Sequence, residues 1–223
     1  METLNSKKYL DFLTRLFKEE IIIIGPKTKL KDSSLSPIYI DLRDRMWASY
    51  GLLPTFGRLF ATLISELIPE RHRFPHLVCG IPEAANPLAT AAVIAGQELG
   101  MDLQLVALRQ QPKAHGTGSQ SFVIGKYEKN GHLYLIDDVV TTSQSKRDAI
   151  DKLVQSGFPK EEITVIVAFD RQQGGLESLK RDGIRTASLF KILDVAQTFA
   201  DEKIITSKQH RDVRKFIANN QHC

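Results

Sequence analysis

The chain has 223 residues, with 30 Lys and Arg against 26 Asp and Glu, a formal net charge of +4. Hydrophobic residues make up 42% and charged residues 25%, ordinary usage for a globular chain that buries roughly 70% of its unfolded surface. Two cysteines, Cys79 and Cys223, cannot build a disulfide framework, and no Cys/His spacing suggests zinc. No apolar run reaches the ~18 residues of a membrane span. The opening stretch METLNSKKYLDFLTRLFKEE is amphipathic and charged in both signs, unlike a signal peptide. A pI near 9.0 invites a nucleic-acid reading, but this charge is spread too thinly to make a strong field. The expectation is a cytoplasmic protein with neither a nucleic-acid nor a membrane partner.

In chain order, Leu10, Leu13, Leu16 and Phe17 fall at helical spacing within residues 5–19. The β-branched run Ile21–Ile24 follows, then the breaker pair Gly25-Pro26. A basic, Ser-rich loop feeds a short extended stretch around Ile38–Leu42. Pro54 suits the first position of a helix whose apolar face is Phe56, Leu59, Phe60, Leu63, Ile64 and Leu67, ended by Pro69. From residue 77 the pattern is regular. Strands are expected at 77–81, 103–109, 133–136, 163–169 and 184–190, and helices at 87–99 and about 176–181. A further helix directs Ile150, Leu153 and Val154 inward and closes at Gly157, and two more end the chain at about 191–200 and 206–219. Residues 110–126 form a long polar loop. Alternation of this kind predicts an α/β fold with a mainly parallel sheet flanked by helices. One domain over 1–223 is expected, with segments of about 1–45 and 191–223 packing as a small subdomain beside the sheet.

The chemistry concentrates at Tyr134-Leu-Ile-Asp-Asp-Val-Val-Thr-Thr-Ser-Gln-Ser145, where an apolar strand stops at two carboxylates and a hydroxyl-rich loop enters a helix. In an open parallel sheet ligands bind beyond the carboxyl ends of the strands. Free N–H groups at a helix start suit a phosphate, and Thr141, Thr142, Ser143 and Ser145 add hydroxyls to the same anion. Two carboxylates would repel that phosphate, so Asp137 and Asp138 must face something else: ribose hydroxyls, or Mg²⁺ held through water. The same residues can also be read as a strand end followed by a Ser143 helix cap.

The segment IDDVVTT resembles the phosphoribosyl-pyrophosphate motif of the type I phosphoribosyltransferases. Four further segments, in order, resemble the orotate phosphoribosyltransferase family within them: LKDSSLSPIYIDLR (30–43), VCGIPEAANPLAT (78–90), the loop around Lys113-Ala-His115-Gly116, and FDRQQGG (169–175). The resemblance runs from about residue 28 to 190. It implies a type I phosphoribosyltransferase fold, with the terminal segments forming a small hood, and a homodimer whose lid loop acts across subunits. It also implies Mg²⁺-dependent transfer of the phosphoribosyl group of phosphoribosyl pyrophosphate to orotate, releasing pyrophosphate, in pyrimidine biosynthesis. Asp137 and Asp138 would then hold the ribose and offset its developing charge. Lys113 and His115, joined by Arg109, would serve the leaving pyrophosphate. Lys31, Thr141, Thr142, Ser143, Gln144 and Ser145 would bind the phosphates, and Tyr39, Ile40, Thr141 and Arg171 the orotate. No side chain is assigned as a direct metal ligand.

Four positions depart from the pattern of the family. Gln110 stands where many members carry Lys, Ser143 and Ser33 where Gly is common, and Glu83-Ala84 where Tyr, often followed by Lys, is usual. These leave open a different acceptor base, or a weakly active or regulatory member of the fold. The basic residues Lys208, Arg211, Arg214 and Lys215 read as a solvated helix face.

Overall fold

Residues 3–29 (backbone alone for 26–29), 35–68, 75–112, 121–125, 127 and 131–222 are described in the computed structural model. The chain runs α1 (Leu10–Lys18), β1 (Ile22–Lys29), β2 (Leu35–Ile40), α2 (Arg45–Ala48), α3 (Leu52–Leu67), β3 (His76–Gly80), α4 (Asn86–Glu98), β4 (Leu103–Leu108) and β5 (Val123–Ile124). It continues through β6 (Leu133–Val140), α5 (Gln144–Gln155), β7 (Ile163–Asp170), α6 (Gly175–Arg181), β8 (Arg185–Lys191), α7 (Ile192–Asp201) and α8 (Ser207–Asn219).

Six strands form one sheet in the order β5-β4-β3-β6-β7-β8, parallel except for the short β5. Side chains alternate across a strand, and both faces of this sheet are apolar. One face presents Val78, Tyr134, Ile136, Ile166, Ala187 and Leu189 to a core that includes Phe56 and Phe60 of α3 and Ala89 and Ala92 of α4. The other presents Leu77, Cys79, Leu135, Val165 and Val167 to Ile150 and Leu153 of α5 and Leu176 and Leu179 of α6. Helices α3 and α4 close tightly at Gly57, where a Cβ would meet the Ala91 carbonyl oxygen at 2.5 Å.

Strands β1 and β2 pair antiparallel, with Ile22 opposite Ile40 and Ile24 opposite Ile38. Helix α8 packs on both strands, and α1 packs on β1 and α7. This layer shares the core of α3, since Ile22, Ile38, Val213 and Phe56 belong to one buried cluster.

The structure departs from the sequence expectations at the ends of elements and within the expected loop 110–126, where Val123–Ile124 pair with β4 as β5. Helix α1 starts at Leu10 rather than near residue 5. Strand β1 runs through Gly25-Pro26, because a register shift between Ile24 and Thr28 accommodates a residue without an N–H. Helix α3 starts at Leu52, two residues ahead of Pro54, which therefore sits within its first turn. Pro69 lies outside the described residues. Val154, expected to point inward, is 42% exposed; the core face of α5 is Lys146, Ala149, Ile150 and Leu153. Strand β6 does not stop at Ile136 but carries on through both aspartates to Val140, with Asp137 in register with Val167.

Candidate active site

The parallel strands share one carboxyl edge, and a polar cleft of about 560 Å³ opens beyond it at the end of β6. Residues Tyr39, Ile40, Asp41, Arg43 and Asp44, from β2 and its exit, form one wall. Asp137, Asp138 and Val139 form the floor, and Thr141, Thr142, Ser145 and Lys146 close the far side. An adjoining cleft of about 430 Å³ shares Arg43, Asp44, Asp137 and Ser145 and adds Trp47, Glu83 and Gln110. A larger hollow, about 630 Å³, lies between α3 and α4, lined mainly by apolar side chains and lacking the paired acids.

Both carboxylates on the floor are buried and held from two sides. The Lys146 ammonium sits 2.5 Å from Asp137 Oδ2 and also donates to the Val139 carbonyl at 3.1 Å. Asp137 Oδ1 accepts the Asp138 N–H at 3.0 Å. Asp138 Oδ2 accepts from Arg43 Nε at 2.9 Å, and its Oδ1 takes the Val139 N–H at 2.7 Å. Burial raises the Asp137 pKa above the usual carboxylate range, with Lys146 as the strongest opposing influence. The hydrogen bond to Asp138 raises that of Arg43 and keeps the guanidinium charged. Each carboxylate oxygen thus already accepts one donor and has the capacity to accept a second.

Helix α5 begins at the same edge. Its N-terminal residue Ser143 makes no side-chain cap, because its hydroxyl accepts from Arg147 Nε at 3.0 Å instead. The cap reading of Ser143 is therefore corrected: the start of α5 is left to other acceptors, and an anion suits it. Ser143 has φ −90°, a conformation open to any residue, so glycine is not required there. Gln144 turns away to donate to Asp148 at 2.7 Å, leaving only its backbone near the loop.

Of the residues singled out in sequence, Tyr39, Ile40, Asp137, Asp138, Thr141, Thr142 and Ser145 line one cleft. Arg171 does not line it. Its N–H donates to the Val140 carbonyl at 3.1 Å, and its buried guanidinium donates to Ser36 Oγ at 3.1 Å, behind the wall made by β2. Arg109 directly follows β4 with its N–H on the Phe122 carbonyl at 2.7 Å, and its Nε finds no hydrogen-bond partner among the described residues. Lys31, Ser33, Lys113 and His115 lie outside the described residues. Glu83 and Gln110 meet each other, with Gln110 Nε2 donating to Glu83 Oε1 at 3.2 Å.

Sequence reasoning missed Lys146 and Arg43. Lys146 had left a signal, since it stands with Ala149, Ile150 and Leu153 on the apolar face of α5, where an unpaired lysine is not tolerated. Arg43 comes from a segment 95 residues away from Asp138, and only the fold joins them. Among the described residues no group of three or more His, Cys, Asp or Glu could cage a metal. The donor set fits a cation shared with a ligand: magnesium keeps several waters and takes one or two carboxylates plus substrate phosphates.

No family model matches the chain. It is 31% identical over 209 residues to the orotate phosphoribosyltransferase of Caenorhabditis elegans, across 93% of this chain and 85% of that protein. It is 33% identical over 198 residues to the uridine 5′-monophosphate synthase of the same organism, across 87% of this chain, and spans 36% of that longer protein. The solved UMP synthase of Leishmania donovani is similar with a TM-score of 0.73 at 26% identity, over 96% of this chain and 43% of that one. The orotate phosphoribosyltransferase of Mycobacterium tuberculosis, solved with 5-phospho-α-D-ribosyl 1-diphosphate, shares the fold with a TM-score of 0.60 at 19% identity, over 82% of this chain and 96% of that one. The mainly parallel sheet, the paired acids at its carboxyl edge and these likenesses converge: the fold is that of the type I phosphoribosyltransferases, and the chain belongs to the orotate phosphoribosyltransferase family.

Proposed function

We propose that this protein is an orotate phosphoribosyltransferase acting in pyrimidine biosynthesis. It joins the ribosyl carbon of phosphoribosyl pyrophosphate to a nitrogen of orotate, giving orotidine 5′-phosphate and pyrophosphate. One observation carries the reading: Asp137 and Asp138, fixed by Lys146 and Arg43, share a cleft with the hydroxyl loop at the start of α5. That arrangement offers negative charge to a sugar and N–H and O–H donors to its phosphate. The names of the relatives, and the diphosphate bound by the Mycobacterium tuberculosis protein, support the same substrates.

In this mechanism Thr141, Thr142 and Ser145 donate hydroxyl hydrogen bonds to the 5′-phosphate, and the backbone of Ser143 and Gln144 adds N–H groups at the helix start. The free lone pairs of Asp137 and Asp138 accept from ribose hydroxyls. As the bond to pyrophosphate breaks and that group leaves with the electron pair, positive charge grows on the ribosyl carbon and its ring oxygen. Fixed carboxylates stabilise such charge without reorganising. Tyr39, Ile40 and Thr141 hold the pyrimidine at the wall of the cleft, and Arg171 provides the cation behind it for the anionic base. Lys31, Lys113 and His115, with Arg109 just after β4, serve the phosphates of the substrate and the leaving group. Mg²⁺, held by the diphosphate and waters with Asp137 or Asp138, would neutralise part of the charge of the leaving group.

The hood formed by about residues 1–45 and 191–223 belongs to the same reading, its β2 supplying Tyr39 and Ile40. So does a homodimer with the loop that carries Lys113 acting across subunits. In support, the hollow between α3 and α4 carries Ile94 at 55% exposure and opposite charges on Arg58 and Glu98, which a two-fold axis can pair. A cytoplasmic location is consistent with the unpaired, buried thiol of Cys79, and no helix among the described residues is long and apolar enough to cross a membrane. Product analysis with orotate and phosphoribosyl pyrophosphate, with and without Mg²⁺, tests the activity: orotidine 5′-phosphate forms only with all three. Formation of a different nucleotide from a panel of other bases, and none from orotate, overturns it.

A further inference from the structure

The loop that follows β7 carries Arg171 and is fastened to the end of α8. Gln173 Nε2 donates to the Asn220 carbonyl at 3.0 Å, and the His222 N–H donates to the Gln173 carbonyl at 2.7 Å. Gln221 Nε2 bridges the Gln172 carbonyl at 3.0 Å and the Ile217 carbonyl at 2.7 Å. On the opposite flank, Gln172 Oε1 accepts the Leu193 N–H at 2.8 Å, at the start of α7. Two residues of this loop hold positive φ, Gln172 at 56° and Gly174 at 98°. For a glutamine that region is unfavourable by local sterics, so the conformation rests on these bonds. At Gly174 the tail comes so close that a Cβ would overlap the His222 carbonyl oxygen.

The Arg171 side chain is clasped from the same direction. Its guanidinium lies over the Phe216 ring of α8, 6.0 Å from the centroid, and also donates to Ser36 Oγ of β2. The residue is only 8% exposed, and in such a site an aromatic face holds a cation more strongly than at the surface.

We propose that α8 and residues 220–222 form a brace that sets the position of Arg171, so that Phe216 and Gln221 are positioning residues for the anionic base although neither lines the cleft. This rests on the reading of Arg171 as the orotate cation. The phosphate loop stands on α5 instead, so loosening the brace weakens the base side of the site and spares the phosphate side.

The test uses the full chain with three variants: Phe216→Leu, which removes the ring face; Phe216→Trp, which restores one; and Gln221→Ala, at an exposed position that leaves the core intact. Phe216→Leu is expected to raise KM for orotate about fivefold, with KM for phosphoribosyl pyrophosphate within about twofold of wild type, and Phe216→Trp to recover most of the loss. Hydrogen exchange over residues 170–175 is expected to quicken about fivefold in Gln221→Ala and Phe216→Leu. Unchanged exchange in both variants, or equal rises in both KM values, overturns the brace. If exchange quickens but the wild-type protein makes no orotidine 5′-phosphate, the brace holds as a device of the loop and the orotate reading is what fails.

Discussion

Replacing Lys146 by methionine asks whether the Asp137 carboxylate depends on an ion pair buried at the sheet edge. Lys146 is 3% and Asp137 4% exposed, and their charged atoms are 2.5 Å apart. Methionine keeps much of the stem and removes the charge, leaving the Asp138 N–H on the other oxygen as the remaining donor. Removing one partner of a buried pair costs about 3–5 kcal/mol, a large share of the roughly 5–15 kcal/mol that holds a domain folded. Burial already raises the Asp137 pKa, and Lys146 is the strongest influence holding it down, so the variant raises it further. The native variant then keeps a proton that the unfolded chain releases near its ordinary value of 3.8. Stability therefore falls as pH rises from that value to the raised native pKa, and the loss is full above it. Urea unfolding at about pH 7 and about pH 4.5, followed by circular dichroism, measures both effects. The deficit is expected to shrink at the lower pH, and Asp137→Asn in the same chain to recover most of it at the higher one. A Lys146→Met protein as stable as wild type at neutral pH, or one with the same deficit at both, shows that Asp137 does not depend on the ion pair.

Gly57→Ala places a Cβ 2.5 Å from the Ala91 carbonyl oxygen; it is expected to lower unfolding free energy by about 1–3 kcal/mol in the same urea assay, by forcing α3 from α4. Asp170 is buried, and burial pushes its pKa up to about 6. Its carboxyl therefore withholds stability increasingly as pH rises from about 4 to about 6. Asp170→Asn keeps an acceptor for the Gln172 N–H, so the variant is expected to gain up to about 3 kcal/mol at neutral pH and nothing below about pH 4. Glu83→Gln keeps an acceptor for Gln110 and removes a negative charge from the second cleft. It is expected to lower KM for phosphoribosyl pyrophosphate about threefold at low ionic strength and less at high, with KM for orotate unchanged in initial-rate assays.

The alternation of apolar strands and helices made the sheet legible, because a buried parallel strand and a helix face each have a period that residue types display. The acid pair and the hydroxyl loop were equally plain, since few structural reasons place IDDVVTTSQS between a strand and a helix. The extent of β6 was not. Two aspartates in a row signal a strand end, but here Asp137 continues the ladder because Lys146 compensates its charge from the next helix. Strand β1 passing Gly25-Pro26 was hidden for a related reason: only its pairing with β2 creates the bulge that admits a proline. Arg171 marks a further boundary. Its residue type announces an anion, whereas its burial against Ser36 and Phe216 depends on β2 and α8 folding over it. Ser143 shows the reverse error, an expected conflict with glycine that its φ of −90° removes.

The carboxylates at the end of β6 are proposed to stabilise a ribosyl group as its bond to pyrophosphate breaks. Steady-state formation of orotidine 5′-phosphate by Asp138→Asn, set beside wild type, measures that stabilisation. The side chain stays the same size, and the Arg43 partner is 57% exposed, so the fold is expected to survive and KM for orotate to hold. A fall in kcat of roughly 10²–10³ is expected; a variant that turns over as fast as wild type shows that Asp138 does not stabilise the ribosyl charge.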